Sequence, residues 1–232
     1  MMNELKKGHL YIISTPIGNM GDISSRAIDC LKSVEFVACE DTRHSGLLLS
    51  RLGFKKNLIS YNDINALKKT SVILGHLEKG HDVALVSDAG TPGISDPAYR
   101  LICAALDSHC DVTAVPGPSA VLSALVISGL PLDRFVFEGF LPHKAVQRRK
   151  RIESLSDETR TIVLFESPHR ILDLLENIRE ILGDREISVS REMTKLYEET
   201  IRGHVSDVIE TLKTKTPRGE FTVVIRGAGK ER

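Results

Sequence analysis

The sequence predicts an α/β protein made of two consecutive αβα domains, the first with a mostly parallel sheet and the second with a mixed one. Three observations carry that expectation. Short β-branched runs alternate with helix-length amphipathic stretches along the chain. A Val-Pro-Gly-Pro-Ser segment, Val115–Ser119, interrupts the alternation near its midpoint. The 232 residues, 41% hydrophobic and 27% charged, have ordinary globular composition and suffice for one large core or two small ones.

In the first half, Leu10–Ser14, Val34–Cys39, Val83–Ser87 and Val112–Val115 are short apolar runs that read as strands. Ser24–Leu31, Arg43–Leu52, Ala66–Glu78 and Pro97–Leu106 lie between them with helical length and spacing. Such alternation builds a parallel sheet with helices on both faces. Two prolines and a glycine then break regular structure, which sets the boundary between a first domain, 1–116, and a second, 117–232. In the second half Arg134–Glu138, Thr161–Phe165, Glu186–Ser190, Glu198–Gly203 and Phe221–Arg226 read as strands. Arg148–Leu155, Arg170–Leu182 and Val205–Leu212 read as helices. Partial alternation in Glu199–Gly203 predicts some antiparallel pairing. There is no internal repeat and no low-complexity tract; the one long polar segment is His143–Arg151.

Charge narrows the partners. Lys+Arg and Asp+Glu are both 31, and residues 1–116 carry 12 basic against 13 acidic side chains. A nucleic-acid partner would therefore need a local patch rather than a global field. Cys30, Cys39, Cys103 and Cys110 form no C-x-x-C pair and have no accompanying His cluster; each sits in or beside an apolar run. They read as small, reduced, buried hydrophobes, with no metal site and no disulfide. The Met1–His9 stretch is polar, and Leu10–Ile13 is too short for a signal peptide or a membrane span, so a cytoplasmic protein is expected.

In open α/β sheets ligands bind beyond the carboxyl ends of the strands. Three predicted loops have the small residues that such a site needs. Ser14–Asp22 is neither G-x-G-x-x-G nor a P-loop, and reads equally well as a turn in which Asp22 caps the next helix. Ser87–Pro97 holds two glycines, two prolines and two further aspartates, Asp88 and Asp96. Asp96-Pro97 is an ordinary helix start, but a carboxylate at Asp88, at the end of a buried strand, is costly without a partner. Pro116–Ala120 offers Ser119 as a helix cap or as a ligand contact.

These motifs carry a family resemblance. Thr15-Pro16-Ile17-Gly18-Asn19, Glu40-Asp41-Thr42-Arg43, Ser87–Pro97 and Pro116–Ala120 resemble the tetrapyrrole-methylase (class III methyltransferase) superfamily. Within it they are similar to the branch acting on small-subunit ribosomal RNA. The similarity continues through Ser128–Pro131, Glu138–Pro142, Phe165–Arg170 and Arg191–Lys195 to Gly219–Phe221. Ala98 stands where that pattern usually has glycine, and Asp63-Ile64 interrupts a segment more often rich in Glu and His. Many members continue beyond the last strand into a further helical segment, where this sequence stops at Arg232.

The resemblance implies S-adenosylmethionine in the cleft between the two domains, a homodimer, and as substrate a cytidine in the decoding region of 16S ribosomal RNA, methylated at its ribose 2′-oxygen. Carried over by motif, the cofactor contacts are Ile17, Gly18, Asp88, Ala89, Thr91, Ser119 and Ala120, with Phe165, Glu166, Arg191 and Glu220 from the second domain.

Methyl transfer from a sulfonium to a hydroxyl needs in-line positioning and a base or charge stabiliser. Glu40, Asp41, Glu166 and Glu192 are candidate bases, and Arg43, Arg191 and Lys195 candidate stabilisers; Glu40 and Arg43 are preferred because their motif follows the end of a strand. Lys144, Arg148, Arg149, Lys150 and Arg151 put five cations in eight positions, either a solvated helix face or, with the resemblance, an RNA-binding patch. Aromatic residues are only 5%, so RNA recognition should rest on backbone and shape. The rival functions are a sister methyltransferase acting on a small molecule or protein side chain, and a non-catalytic RNA-binding relative.

Overall fold

The computed structural model describes residues 6–229. Met1–Leu5 of the polar amino-terminal stretch, and Arg232, lie outside the described residues. The chain forms two compact units that part between Ser119 and Ala120.

In the first unit β1 (Leu10–Ile13), β2 (Phe36–Cys39), β3 (Asn57–Ser60), β4 (Val83–Val86) and β5 (Val112–Val115) form one sheet, in the order β3-β2-β4-β1-β5, with every pair parallel. The connections carry α1 (Ser25–Ser33), α2 (Thr42–Arg51), α3 (Ala66–Glu78) and α4 (Ala98–Asp107). Side chains alternate across the strands. Leu10, Ile12, Val83 and Leu85 cluster with Ile73 and Leu77 of α3 and Leu101 and Ala105 of α4. Ile13, Ala84 and Val86 cluster instead with Ala27 and Leu31 of α1 and Leu49 of α2. Helices α1 and α2 thus cover one face, and α3 and α4 the other. Strand β3 is not among the strands expected from the sequence. It is an edge strand of four residues with only Ile59 buried, so it lacks the apolar run that marks the other four.

Helix starts differ in detail from expectation. Ser24, not Asp22, caps α1 by accepting the Ala27 N–H; Asp22 instead closes a single 3₁₀ turn, Met20–Asp22. Asp96 accepts the N–H groups of Gly93 and Ala98 and so fixes the entry to α4.

The second unit runs α5 (Ala120–Ile127), β6 (Phe135–Phe140), α6 (Ala145–Glu153), β7 (Thr161–Glu166), α7 (Ile171–Leu182), β8 (Glu186–Arg191), β9 (Glu199–His204), α8 (Val205–Lys213), β10 (Phe221–Ile225). The sheet order is β6-β7-β10-β8-β9; β6 and β7 are parallel and the other pairs antiparallel, the mixed sheet expected. Its main core joins Ile162, Leu164, Ile187, Val189, Val223 and Ile225 to Ile152 of α6, Leu174 and Ile178 of α7, and Val208 and Leu212 of α8. The alternate strand residues Val163, Ser188, Ser190, Thr222 and Val224 are buried on the opposite face, and α5 packs against β7, β8 and β10. Helix α6 begins at Ala145, three positions before the expected Arg148.

All four cysteines are unpaired. Cys39 and Cys110 are buried, but Cys30 and Cys103 are only half-buried, on the margins of amphipathic α1 and α4, which corrects the expectation that all four lie in the core. No described helix is long and apolar enough to cross a membrane. Among the described residues no group of His, Cys, Asp and Glu is arranged to hold a metal ion.

Candidate active site

Strands β1 and β4 are neighbours, yet their outgoing connections lead to helices on opposite faces of the first sheet. Such a switch point leaves a crevice outside the carboxyl ends of the two strands. The loops there are interlocked. Thr15 and Gly90 form an isolated antiparallel bridge: the Thr15 N–H donates to the Gly90 carbonyl at 2.8 Å and the Gly90 N–H to the Thr15 carbonyl at 3.1 Å. The Ser14 and Thr91 hydroxyls share a 2.9 Å hydrogen bond, and the Thr91 hydroxyl donates to the Pro118 carbonyl at 3.4 Å. Gly90 has φ +81°, and a Cβ on it would meet Ile17 Cγ2 at 3.4 Å; a Cβ on Gly117 would meet that of Ser14 at 3.0 Å. Where the loops after β1, β4 and β5 meet, the left-handed φ favours glycine at Gly90 and the close approach to Ser14 favours it at Gly117. The loop after β2 joins them, since the Asp41 N–H donates to the Asp88 carboxylate at 3.4 Å.

The expected cofactor residues of this unit gather on these loops. Ile17 is buried; Asp88, Thr91 and Ser119 are half-buried; Gly18 and Ala89 are exposed. Glu40, just past the end of β2, is half-buried. Burial raises the pKa of its carboxyl above the usual 4.5, and the carboxylates of Asp96 and Asp88 raise it further, against a hydrogen bond from the Asp88 backbone N–H. Burial also raises Asp96, although the Gly93 and Ala98 N–H groups stabilise its charged form. The sequence around Asp96 marks only a helix cap; its field at Glu40 comes from the fold, across a separation of 56 residues that no motif spans.

Asp41 is the N-cap of α2, accepting the Arg43 N–H. The Arg43 guanidinium folds back onto the same carboxylate at 2.6 Å and holds its pKa well below the usual range, while the Arg43 side chain remains 90% exposed. The structure thus separates the two preferred catalytic candidates: Glu40 is sheltered among carboxylates, and Arg43 lies outside, paired with Asp41.

In the second unit, Glu166, Phe221, Arg191 and Glu199 occupy successive register positions across β7, β10, β8 and β9. This brings Glu166, Arg191 and Glu220 to one end of the sheet. Each has a protein partner: Glu166 is buried and pairs with Arg170 at 3.1 Å, Arg191 pairs with Glu199 at 2.8 Å, and Glu220 with Lys195 at 2.9 Å. Lys195 also holds Glu192. Phe165 packs between Phe137 and Phe140.

The basic stretch is not a uniform charged face. Arg149 forks onto Glu180 at 2.6 and 3.0 Å, and Arg151 pairs with Glu138 at 2.6 Å. Arg148 is only 7% exposed, and its guanidinium donates to the His143 carbonyl at 3.4 Å. Lys144, the N-cap residue of α6, and Lys150 are exposed.

A parallel sheet with interlocked switch-point loops, followed by a mixed-sheet unit, matches a family description along most of the chain. The model of the Tetrapyrrole (Corrin/Porphyrin) Methylases covers residues 9–209, and the chain belongs to that family. Its relatives narrow the branch. A Thermotoga maritima protein named ribosomal RNA small subunit methyltransferase I is 48% identical over 95% of this chain and 99% of its own length. Proteins of the same name from Synechocystis sp. and Escherichia coli O157:H7 are 46% and 42% identical, over 97% and 95% of this chain and 81% and 78% of theirs. Among solved structures, uroporphyrin-III-C-methyltransferase from Thermus thermophilus superposes with a TM-score of 0.63 at 21% identity over 94% of each chain. A cobalamin biosynthetic enzyme, cobalt precorrin-4 methyltransferase, gives 0.69 at 18% identity over 94% of each chain. At such identities the likeness shows the fold alone.

Proposed function

We propose that the protein transfers a methyl group from S-adenosylmethionine to small-subunit ribosomal RNA, at the ribose 2′-oxygen of a cytidine in the decoding region of the 16S molecule. The observation that carries this reading is the interlocked set of loops around Asp88 and Glu40 at the β1/β4 switch point, taken with relatives named for methylation of that RNA.

The residues present fit such a donor. S-adenosylmethionine carries a positively charged sulfur whose methyl group needs no further activation. The crevice offers carboxylates at Glu40, Asp88 and Asp96, hydroxyls at Thr91 and Ser119, and the apolar Ile17. An excess of carboxylates suits a cationic ligand. Asp88 and Thr91 would orient the donor, with Gly18, Ala89 and Ala120 supplying close backbone approach; from the second unit the reading adds Phe165, Glu166, Arg191 and Glu220. Holding reactants in line is worth up to roughly 7–11 kcal/mol in oriented systems. Glu40 accepts the proton of the substrate hydroxyl, and a raised carboxyl pKa suits it to that task. Arg43, exposed and paired with Asp41, would have to leave that pair to steady the charge developing on the oxygen.

The test is incubation of the protein with methyl-labelled S-adenosylmethionine and small ribosomal subunits, followed by nucleoside analysis. Label in 2′-O-methylcytidine is expected; label on a base or on protein would overturn the substrate. In calorimetric titration Asp88→Ala should weaken S-adenosylmethionine binding by about tenfold or more, equivalent to about 1.4 kcal/mol. An unchanged affinity would reduce Asp88 to its hydrogen bond with Asp41.

A further inference from the structure

We propose that the amino-terminal end of α6 is a phosphate-binding site that receives one phosphodiester of the RNA backbone. The proposal rests on the RNA reading above. It assigns the contact to the loop Leu141–Lys144 and the first turn of α6 rather than to the charged flank of that helix.

The first N–H groups of any helix have no acceptor within it. In α6 these belong to Ala145, Val146 and Gln147, all exposed, and the cap residue Lys144 makes no side-chain capping bond. The first turn holds no acidic residue, so nothing there offsets the positive end of the helix dipole.

The side chains around this end add charge of the same sign. Arg148 reaches back over the first turn, as helical side chains do, and its Nη1 donates to the His143 carbonyl at 3.4 Å. It is more than nine-tenths buried, its Nε has no hydrogen-bond partner, and it pairs with no carboxylate among the described residues. From the other side Arg170, anchored on buried Glu166, donates to the Leu141 carbonyl at 2.9 Å and lies 2.9 Å from His143 Nδ1. A guanidinium only donates, so Nδ1 is the acceptor and the ring proton sits on Nε2 of this exposed imidazole. Two guanidiniums and Lys144 therefore converge on one short loop with a single carboxylate between them. A buried guanidinium that has a backbone carbonyl but no carboxylate for a partner, beside an uncapped helix end, is costly and becomes favourable when an anion binds there. Arg149 and Arg151 already hold Glu180 and Glu138.

The experiment has two arms, both on the full chain. In the first, inorganic phosphate is titrated into 15N-labelled protein against chloride at matched ionic strength. The amides of Ala145–Gln147 should shift with phosphate alone; unmoved amides overturn the site. In the second, a fluorescein-labelled single-stranded RNA oligonucleotide is titrated at several salt concentrations and read by anisotropy. Lys144→Ala should weaken binding by about 3- to 10-fold and reduce the log–log salt slope by about 0.7, the value for one lost phosphate contact on a single strand. The Arg149→Ala, Arg151→Ala double variant should lose less. The reverse order overturns the assignment to this loop. Phosphate-induced shifts without any RNA binding by the unaltered protein would overturn the phosphodiester and the RNA substrate together, leaving an inorganic-anion site only.

Discussion

Glu40 faces two carboxylates that the chain supplies from the loop after β4, and its raised pKa makes the chemistry dependent on pH in a defined direction. A base works only when deprotonated, so kcat/KM should fall as pH is lowered through a value above the ordinary 4.5 of a glutamate. Asp96→Asn removes one negative neighbour while keeping an acceptor for the Gly93 and Ala98 N–H groups, and should move that acid limb to lower pH. An unmoved limb would exclude Glu40 as the titrating base. The linked stability has the opposite sense. The folded state holds this proton more tightly than the unfolded chain, so its contribution is present at low pH and is lost as pH rises through the raised value. At this scale the sequence was legible where a residue type is unusual for its place, as with Asp88 at a strand end. It was illegible where the partner is remote: the fate of Arg149 depends on Glu180, and that of Arg148 on a backbone carbonyl.

Gly90 shows how an element reads and how it is used. Two glycines and two prolines marked the loop after β4 as special, and the structure gives the reason: a residue with left-handed φ at the point where that loop bridges to Thr15. Gly90→Ala places a side chain at φ +81°, where an L-residue pays about 1–2 kcal/mol. Part of that cost should appear as a lower melting temperature and part as weaker S-adenosylmethionine binding, because relief comes from shifting the backbone that bridges to Thr15. Wild-type affinity and melting temperature would mean that the bridge has no role in the crevice. Buried strands such as β4 and β10 were legible because all their residues are buried and apolar or nearly so. Strand β3 was not, because an edge position demands no apolar run.

At the scale of the molecule, the alternation of strand and helix indicated the layers, and the partial alternation in Glu199–Gly203 foretold the antiparallel edge of the second sheet. The clusters that stabilise the layers are local to each unit. Leu174 of α7 is fully buried in a cluster drawn from residues 141–225 alone. Leu174→Ala should destabilise that core by about 2–5 kcal/mol, the range for deleting a buried leucine side chain. The residues that lose protection are then predictable. Hydrogen exchange should accelerate in β7, β8 and β10, whose Leu164, Val189 and Val223 share the cluster, while the amides of β1 and β4 keep their protection. Equal acceleration in β1 and β4 would show that both units open in one cooperative step. If the β1 and β4 amides stay protected, the crevice at their carboxyl ends stays assembled too. The variant should then still bind S-adenosylmethionine through the first-unit contacts, at a temperature where β7 has begun to exchange freely.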